Sequence, residues 1–258
     1  MDLKNKLPDK ISEFINNSKS KSIKIGCSDS EVIEINKNDK IYYLKIMEKG
    51  LLENEYNKLI WLKQKLPVPK VIMFIQDSNK DYLITEKMSG NMLCLDYYIQ
   101  NPDDAIKVLS EAFKKLYSID INNCPFDVSN DYKLSLVKKR VENKEVTTND
   151  LKPETKNKFK SVENVLKFLE ENTPKEELVF SHGDTSLPNV FADKDNFKGF
   201  IDVGESGIAD KWFDLAICEK SIRKNYGEDY IKKFYESLNI KRDEEKINYY
   251  LYMMELYP

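Results

Sequence analysis

The sequence predicts an α+β protein in two lobes: an antiparallel five-stranded N-lobe with its linker (1–90) and a mostly helical C-lobe (91–258). Three observations lead there. Up to residue 90, short runs of β-branched and aromatic residues alternate with polar turns around a single helical segment, the pattern of a hairpin-connected sheet. From Leu93 onward the apolar residues recur mostly at helical spacing. One stretch interrupts that run: 179–204, VFSHGDTSLPNVFADKDNFKGFIDVG, reads as a strand, a polar turn and two short strands joined by a hairpin.

In chain order, Leu3, Leu7, Ile11, Phe14 and Ile15 share one helical face and predict a short opening helix. Segments 21–26 and 31–36 are strand-like around the polar turn Cys27-Ser28-Asp29-Ser30, and 40–47, KIYYLKIM, is a third strand. Segment 51–66 is helical, with Leu52, Tyr56, Leu59, Ile60 and Leu66 on its apolar stripe. Pro67-Val68-Pro69 ends it. Two more strands, 70–76 and 81–86, flank the turn at 77–80, and strand character fades through 85–90, the link between lobes. An extended linker leaves backbone groups free to read the edge of an adenine. Beyond it, helices are expected at 102–117, 132–141 and 155–171, with the polar stretch 143–153 between the last two. Closing helices are expected at 211–223, 229–238 and 244–256.

Composition narrows the class. The chain of 258 residues has room for one large or two small domains. Its first residues, MDLKNKLPDKISEF, are charged and amphipathic without a signal-peptide core, and no apolar run approaches a membrane span. Cys27, Cys94, Cys124 and Cys218 are scattered without motif spacing and read as reduced thiols. A cytoplasmic protein, monomeric or weakly dimeric and with no membrane partner, is expected. The net charge of -3 does not favour nucleic acid. The charge is uneven: 16 Lys+Arg against 13 Asp+Glu through Gly90, and 25 against 31 beyond it. Such a split favours phosphates near the first part and a cationic substrate near the second, although a solvated surface with chance asymmetry accounts for it equally well.

The chemistry concentrates in 179–204. Asp184 lies at the end of the first strand, Asn189 follows five positions later, and Asp202 follows the apolar pair Phe200-Ile201. An acid, an amide and a second acid in this strand context make up a phosphoryl-transfer site. One carboxylate accepts the proton of the attacking hydroxyl, while the amide oxygen and the other carboxylate hold Mg²⁺ against nucleotide phosphates. His182, the only histidine, is read as holding the loop through bonds from its ring to backbone carbonyls, in preference to acting as a general base. Earlier in the chain, Lys45 sits mid-strand with Tyr43 and Met47 on its face. It is read as the lysine that grips the α- and β-phosphates, in preference to a lysine snorkelling from a half-buried strand. That role needs a helical glutamate to orient it, for which Glu55 is preferred over Glu53.

These residues, with SHGD and the following Asn (181–189), GFIDVGESGIADKWFDLA (199–216), WL…KLPVPKV (61–71), SIRKNYGE and the terminal YYLYMMEL, resemble the bacterial aminoglycoside 3′-phosphotransferases along almost the whole chain. That family has the protein-kinase-like fold. The resemblance implies an ATP- (or GTP-) and Mg²⁺-dependent kinase that phosphorylates a hydroxyl, the 3′-hydroxyl, of aminoglycoside antibiotics and so confers resistance. It implies roles at matching positions. Asp184 is the catalytic carboxylate, and Asn189 and Asp202 are the metal ligands. Lys45 and Glu55 are the phosphate-gripping pair, and Ser28 lies over the β-phosphate. Tyr43 stacks on the adenine, while Thr85 and Lys87 offer backbone groups to its edge. Glu255, helped by the carboxylate of Pro258 and by Glu142, Glu145, Asp150 and Glu154, receives the cationic antibiotic. Departures concern the substrate. Leu187-Pro188 stands where the family usually has Asp-Ser, Glu205 stands where an arginine is usual, and the chain ends Met-Glu-Leu-Tyr-Pro where Asp-Glu-Leu-Phe is common. The alternatives are a kinase of another small hydroxylated molecule and a nucleotide-binding protein that has lost transfer.

Overall fold

Side-chain alternation builds the first sheet. In the computed structural model, which describes residues 7–23 and 31–257, the strands are β1 (Lys19–Ile23), β2 (Glu31–Lys37), β3 (Lys40–Glu48), β4 (Val71–Gln76) and β5 (Lys80–Glu86). Ser28 and Pro258 lie outside the described residues. The five strands pair antiparallel in the order β1-β2-β3-β5-β4. Asn38 and Asp39 both have positive φ (52° and 60°), the backbone of a two-residue hairpin between β2 and β3. Ile33 and Ile35 of β2, Leu44 and Ile46 of β3, and Tyr82 and Ile84 of β5 form one face. Ile11 and Ile15 of helix α1 (Asp9–Ile15) cover it. Each aliphatic side chain buried there contributes about 1.5–3 kcal/mol. The period of two turns Tyr43, Lys45 and Met47 to the opposite face.

Helix α2 (Glu53–Leu62) follows β3, shorter at both ends than the apolar stripe predicts. The fully buried Asp81 fixes its entry: one carboxylate oxygen accepts the N–H groups of Gly50 (2.8 Å) and Leu52 (3.0 Å), the other a Gln76 amide hydrogen (3.0 Å). Tyr56 of α2 stacks on Phe74 of β4 with centroids 4.4 Å apart.

The chain resolves into two compact units, Met1–Gly90 with Lys198–Gly204, and Asn91–Phe197 with Glu205–Pro258. The second begins with β6 (Asn91–Met92), which pairs antiparallel with β8 (Val190–Asp193). Helices α3 (Asp96–Gln100), α4 (Pro102–Tyr117) and α5 (Asn130–Glu142) follow. The helix expected over 155–171 is two: α6 (Pro153–Phe159) and α7 (Val162–Glu171). Lys160 takes a left-handed backbone (φ +69°) that ends the first, and the Ser161 hydroxyl accepts the Asn164 N–H (3.3 Å) to start the second. Strand β7 (Leu178–Ser181) leads into the loop with Asp184, and β9 (Asn196–Phe200) carries the chain into the first unit. A strand that alternation did not suggest, β10 (Gly207–Asp210), pairs antiparallel with β7.

Helices α8 (Lys211–Asn225), α9 (Asp229–Leu238) and α10 (Glu244–Leu256) close the chain. Phe113 of α4 meets Phe234 of α9 edge-on at 5.4 Å, and Phe213 of α8 meets Tyr250 of α10 at 5.8 Å. Helix α8 buries Trp212, Phe213, Leu215, Ala216, Cys218 and Ile222 around most of its circumference, and takes the acids Asp214 and Glu219 inside with them. No described helix is long and apolar enough to cross a membrane.

Candidate active site

The loop after β7 is built on α8. Asp214, fully buried, accepts the His182 N–H on one carboxylate oxygen (2.9 Å) and the Gly183 N–H on the other (3.0 Å). Burial pushes the Asp214 carboxyl up from its ordinary value, and these two backbone N–H groups oppose that rise. His182 is itself fully buried, and its Nδ1 accepts the Asp184 N–H at 3.2 Å. At that nitrogen the ring takes a backbone amide where bonds to carbonyls were expected. Gly183 has φ +84°, and a Cβ there would overlap the carbonyl of Glu205. Only glycine allows so close an approach.

This scaffold presents Asp184. Its Oδ2 accepts the Asn189 amide at 2.8 Å, and its Oδ1 the Ser186 N–H at 3.3 Å. The same Asn189 nitrogen donates to the Asp184 carbonyl at 3.0 Å. With its nitrogen so anchored, the amide of Asn189 has its oxygen available as a hard ligand. Pro188 is the second residue of the 3-10 turn Leu187–Asn189 that sets this geometry, and Leu187 is fully buried with its N–H on Ser221 Oγ (3.1 Å). The Leu187-Pro188 departure thus serves as a hydrophobic anchor and a preset turn under Asn189.

In the first unit, Lys45 Nζ reaches Glu55 at 2.8 and 3.0 Å, so Glu55 is the partner and Glu53 is not. It also reaches Asp202 Oδ1 at 3.4 Å. Burial pulls the Lys45 ammonium down, but Glu55 and then Asp202 outweigh it, and the pKa ends above the ordinary lysine value. Asp202 takes a left-handed backbone (φ +59°) and keeps its side chain 58% exposed. The carbonyl two residues on, at Gly204, is held by Asn54 Nδ2 (2.7 Å) and Lys58 Nζ (2.5 Å) of α2. These two residues carried no signal in the sequence beyond their place on the helix.

Other expected residues fall as follows. Tyr43 shares the face of Lys45, with its hydroxyl 3.5 Å from Glu34; burial and then Glu34 raise its pKa. Thr85 lies in β5 opposite Tyr43. The Lys87 N–H is bonded to the Ile41 carbonyl at 2.9 Å, so that backbone group is already engaged. Glu255 is engaged inside the second unit. Its side chain is only 8% exposed, and it accepts the Lys152 N–H (2.9 Å) and the Thr155 hydroxyl (2.8 Å) at the start of α6. Asp150 accepts the Thr147 N–H and hydroxyl at 2.7 and 2.8 Å, and Glu145 accepts the Asn143 amide at 2.9 Å. Glu142 and Glu154 are exposed. For Lys220 of α8, burial and then Lys152 lower the pKa, while Glu255 and Asp184 oppose them. Two surface hollows of about 640 and 470 Å³ lie along α8–α10 and include none of these residues.

A family profile described as "Phosphotransferase enzyme family" matches residues 21–249. The chain is 36% identical over 241 residues to the aminoglycoside 3′-phosphotransferase of Enterococcus faecalis, covering 90% of this chain and 91% of that one. The chain belongs to the aminoglycoside 3′-phosphotransferase family. Among solved structures of this phosphotransferase fold, it superposes on the type VIII aminoglycoside 3′-phosphotransferase with a TM-score of 0.82 at 26% identity, over 93% of this chain and 94% of that one. It shares the fold of the Streptomyces rimosus 3″-phosphotransferase solved with ADP and streptomycin (TM-score 0.72, 21% identity, 92% of each chain). The two-lobed α+β class expected from the sequence is thereby borne out.

Among the described residues, no cluster of three or more His, Cys, Asp or Glu could hold a metal on its own. Mg²⁺ takes one or two protein oxygens and completes its shell with water and phosphate. The Asn189 amide oxygen, in the second unit, and the exposed Asp202 carboxylate, in the first, are each hard donors of the type Mg²⁺ takes.

Proposed function

We propose that the protein transfers the γ-phosphoryl group of ATP to the 3′-hydroxyl of an aminoglycoside. The observation that carries this is Asp184: a carboxylate fixed by Asn189 and by a loop tied to α8, in a chain whose relatives are named for this reaction. Asp184 accepts the proton as the sugar oxygen bonds to phosphorus. The bond from the γ-phosphorus to the bridging oxygen breaks, ADP leaves with the electron pair, and Asp184 returns its proton to solvent. Lys45, oriented by Glu55, takes the α- and β-phosphates. Tyr43 lies against the adenine, with carbonyls of Thr85 and Lys87 at its edge. Asn189 and Asp202 would hold Mg²⁺, which when bound neutralises charge on the β- and γ-phosphates. The phosphate added to the antibiotic would oppose its binding to RNA.

Glu142 and Glu154, both exposed, are the carboxylates of the 142–154 loop best placed to receive ammonium groups. Glu255 acts by holding that loop to α10 through Lys152 and Thr155. The commitment of Glu255, Asp150 and Glu145 to internal bonds favours the second reading, a kinase of another small hydroxylated molecule with fewer amines. Substitution of Asp184 by Ala tests the catalytic assignment. Turnover is expected to be lost with ATP affinity nearly intact; loss of both together would assign Asp184 a folding role.

A further inference from the structure

Two departures from the family pattern meet in space. Glu205 stands where the family usually has arginine, and Tyr257 where it commonly ends in phenylalanine. In the second unit the Tyr257 hydroxyl donates to Glu205 Oε2 at 3.0 Å, a bond that phenylalanine could not make. The Tyr257 ring packs edge-on against Phe213 of α8 with centroids 6.0 Å apart, so the donor is held. At its backbone end Glu205 lies close against the loop of Asp184: a Cβ built on Gly183 would overlap the Glu205 carbonyl and come within 2.7 Å of the Glu205 Cβ. The side chain therefore departs from a point touching the residue before Asp184. Glu205 is exposed, and among the described residues no Lys or Arg pairs with its carboxylate. Its charge is held in place by a neutral phenol and is not neutralised.

We propose that Glu205 is a specificity-determining residue of the acceptor site: its carboxylate, oriented by Tyr257, binds an ammonium group of the aminoglycoside close to the reacting hydroxyl. The inference rests on the functional reading above and goes beyond it, because the usual arginine at this position would repel the same group. A charge-assisted hydrogen bond to a carboxylate already oriented loses little freedom on binding. Tyr257 contributes by that orientation and has no contact of its own to make with the ammonium.

The test is steady-state ADP release with pairs of aminoglycosides that differ by one amine-for-hydroxyl exchange, using the wild type, Glu205→Gln, Glu205→Arg, Tyr257→Phe and the double variant Glu205→Gln/Tyr257→Phe. For the amine-bearing member of the relevant pair, Glu205→Gln is expected to raise KM about tenfold and Glu205→Arg about a hundredfold. KM for the hydroxyl member and for ATP should stay within about twofold. Tyr257→Phe is expected to raise KM for the amine about threefold alone and not at all in the Glu205→Gln background, since its effect passes through the carboxylate. Wild-type KM for every acceptor in Glu205→Gln, or equal losses for both members of every pair, would overturn the proposal while leaving the kinase reading standing. A wild-type protein that phosphorylates no aminoglycoside would overturn the kinase reading and this inference with it.

Discussion

Replacing Asp214 by Asn removes one charge and one acceptor and changes the shape of the side chain very little. In the native protein both carboxylate oxygens are occupied by backbone donors, His182 N–H at 2.9 Å and Gly183 N–H at 3.0 Å, in a site with no solvent access. An amide keeps one oxygen and turns an NH₂ group toward the second donor. One buried N–H is then left facing another donor, and the surviving bond loses its charged acceptor. Bonds to charged groups contribute about 1.5–3 kcal/mol, and an unsatisfied buried donor costs about 1–3 kcal/mol. Because the neutral amide escapes the desolvation penalty that the buried carboxylate bears, part of this cost is offset and a net loss of about 2–3 kcal/mol is expected. For a chain of this size that lowers Tm by about 5–10 °C. The Asp184 loop loses one of its ties to α8 and keeps those from the Thr185 hydroxyl to the Asp214 carbonyl and from the Leu187 N–H to Ser221 Oγ; a shift of about 1 Å there costs about a hundredfold in kcat. KM for ATP should hold within about twofold. The assays are calorimetry and steady-state kinetics on the same preparation. A variant with wild-type Tm and wild-type kcat would refute the reasoning. A destabilised variant with wild-type kcat would show that these bonds support the fold without positioning the loop.

Two further outcomes are expected. Lys45→Ala removes the partner of Glu55 at 2.8 Å and a contact present in ground and transition states alike, so KM for ATP should rise about tenfold or more while kcat falls less; an unchanged KM for ATP contradicts the phosphate role. Glu177 is drawn down from 4.5 to about 2, first by Lys211 and then by Trp212, whose indole N–H lies 2.7 Å away. A depressed carboxylate stabilises the fold above its unfolded value, and that stability is lost as pH falls from 4.5 toward about 2. Because 49% of the side chain is exposed, screening reduces the contribution to about 1 kcal/mol. Glu177→Gln should therefore be less stable than wild type by that amount at neutral pH in urea titrations, with the difference closing on acidification; a difference that stays constant down to about pH 2.5 contradicts the assignment.

What the sequence made legible is local. Asp184 and Asn189 lie five positions apart and bond to each other, so spacing alone brought them together. Lys45 could be placed on its face by strand alternation, whereas the choice of Glu55 over Glu53 leans on the later site and is made by the Lys45–Glu55 bond itself. The partners of Asp214, Asn54 and Lys58 lie far along the chain, and no local pattern announces them. An acid inside the otherwise apolar Trp212-Phe213-Asp214-Leu215-Ala216 run was the one available sign, since a buried carboxylate requires donors. Glu255 illustrates the converse. At a chain end it reads as a free rim acid, whereas Thr155 and Lys152, about a hundred positions earlier, enclose it. The break at Lys160 and the strand β10 were missed for related reasons: a left-handed lysine has no compositional mark, and Gly-Ile-Ala-Asp is too short and too poor in β-branched residues to read as a strand.

The central claim is phosphoryl transfer to the 3′-hydroxyl. Its most direct measurement is the position of the new phosphate, assigned by ³¹P–¹H correlation NMR after the protein is incubated with ATP, Mg²⁺ and an aminoglycoside carrying a free 3′-hydroxyl, alongside its 3′-deoxy analogue. A single 3′-phosphate, one ADP released per product, and no product from the 3′-deoxy analogue are expected. Phosphate at another hydroxyl, equal turnover of the 3′-deoxy analogue, or no product from either would contradict the account.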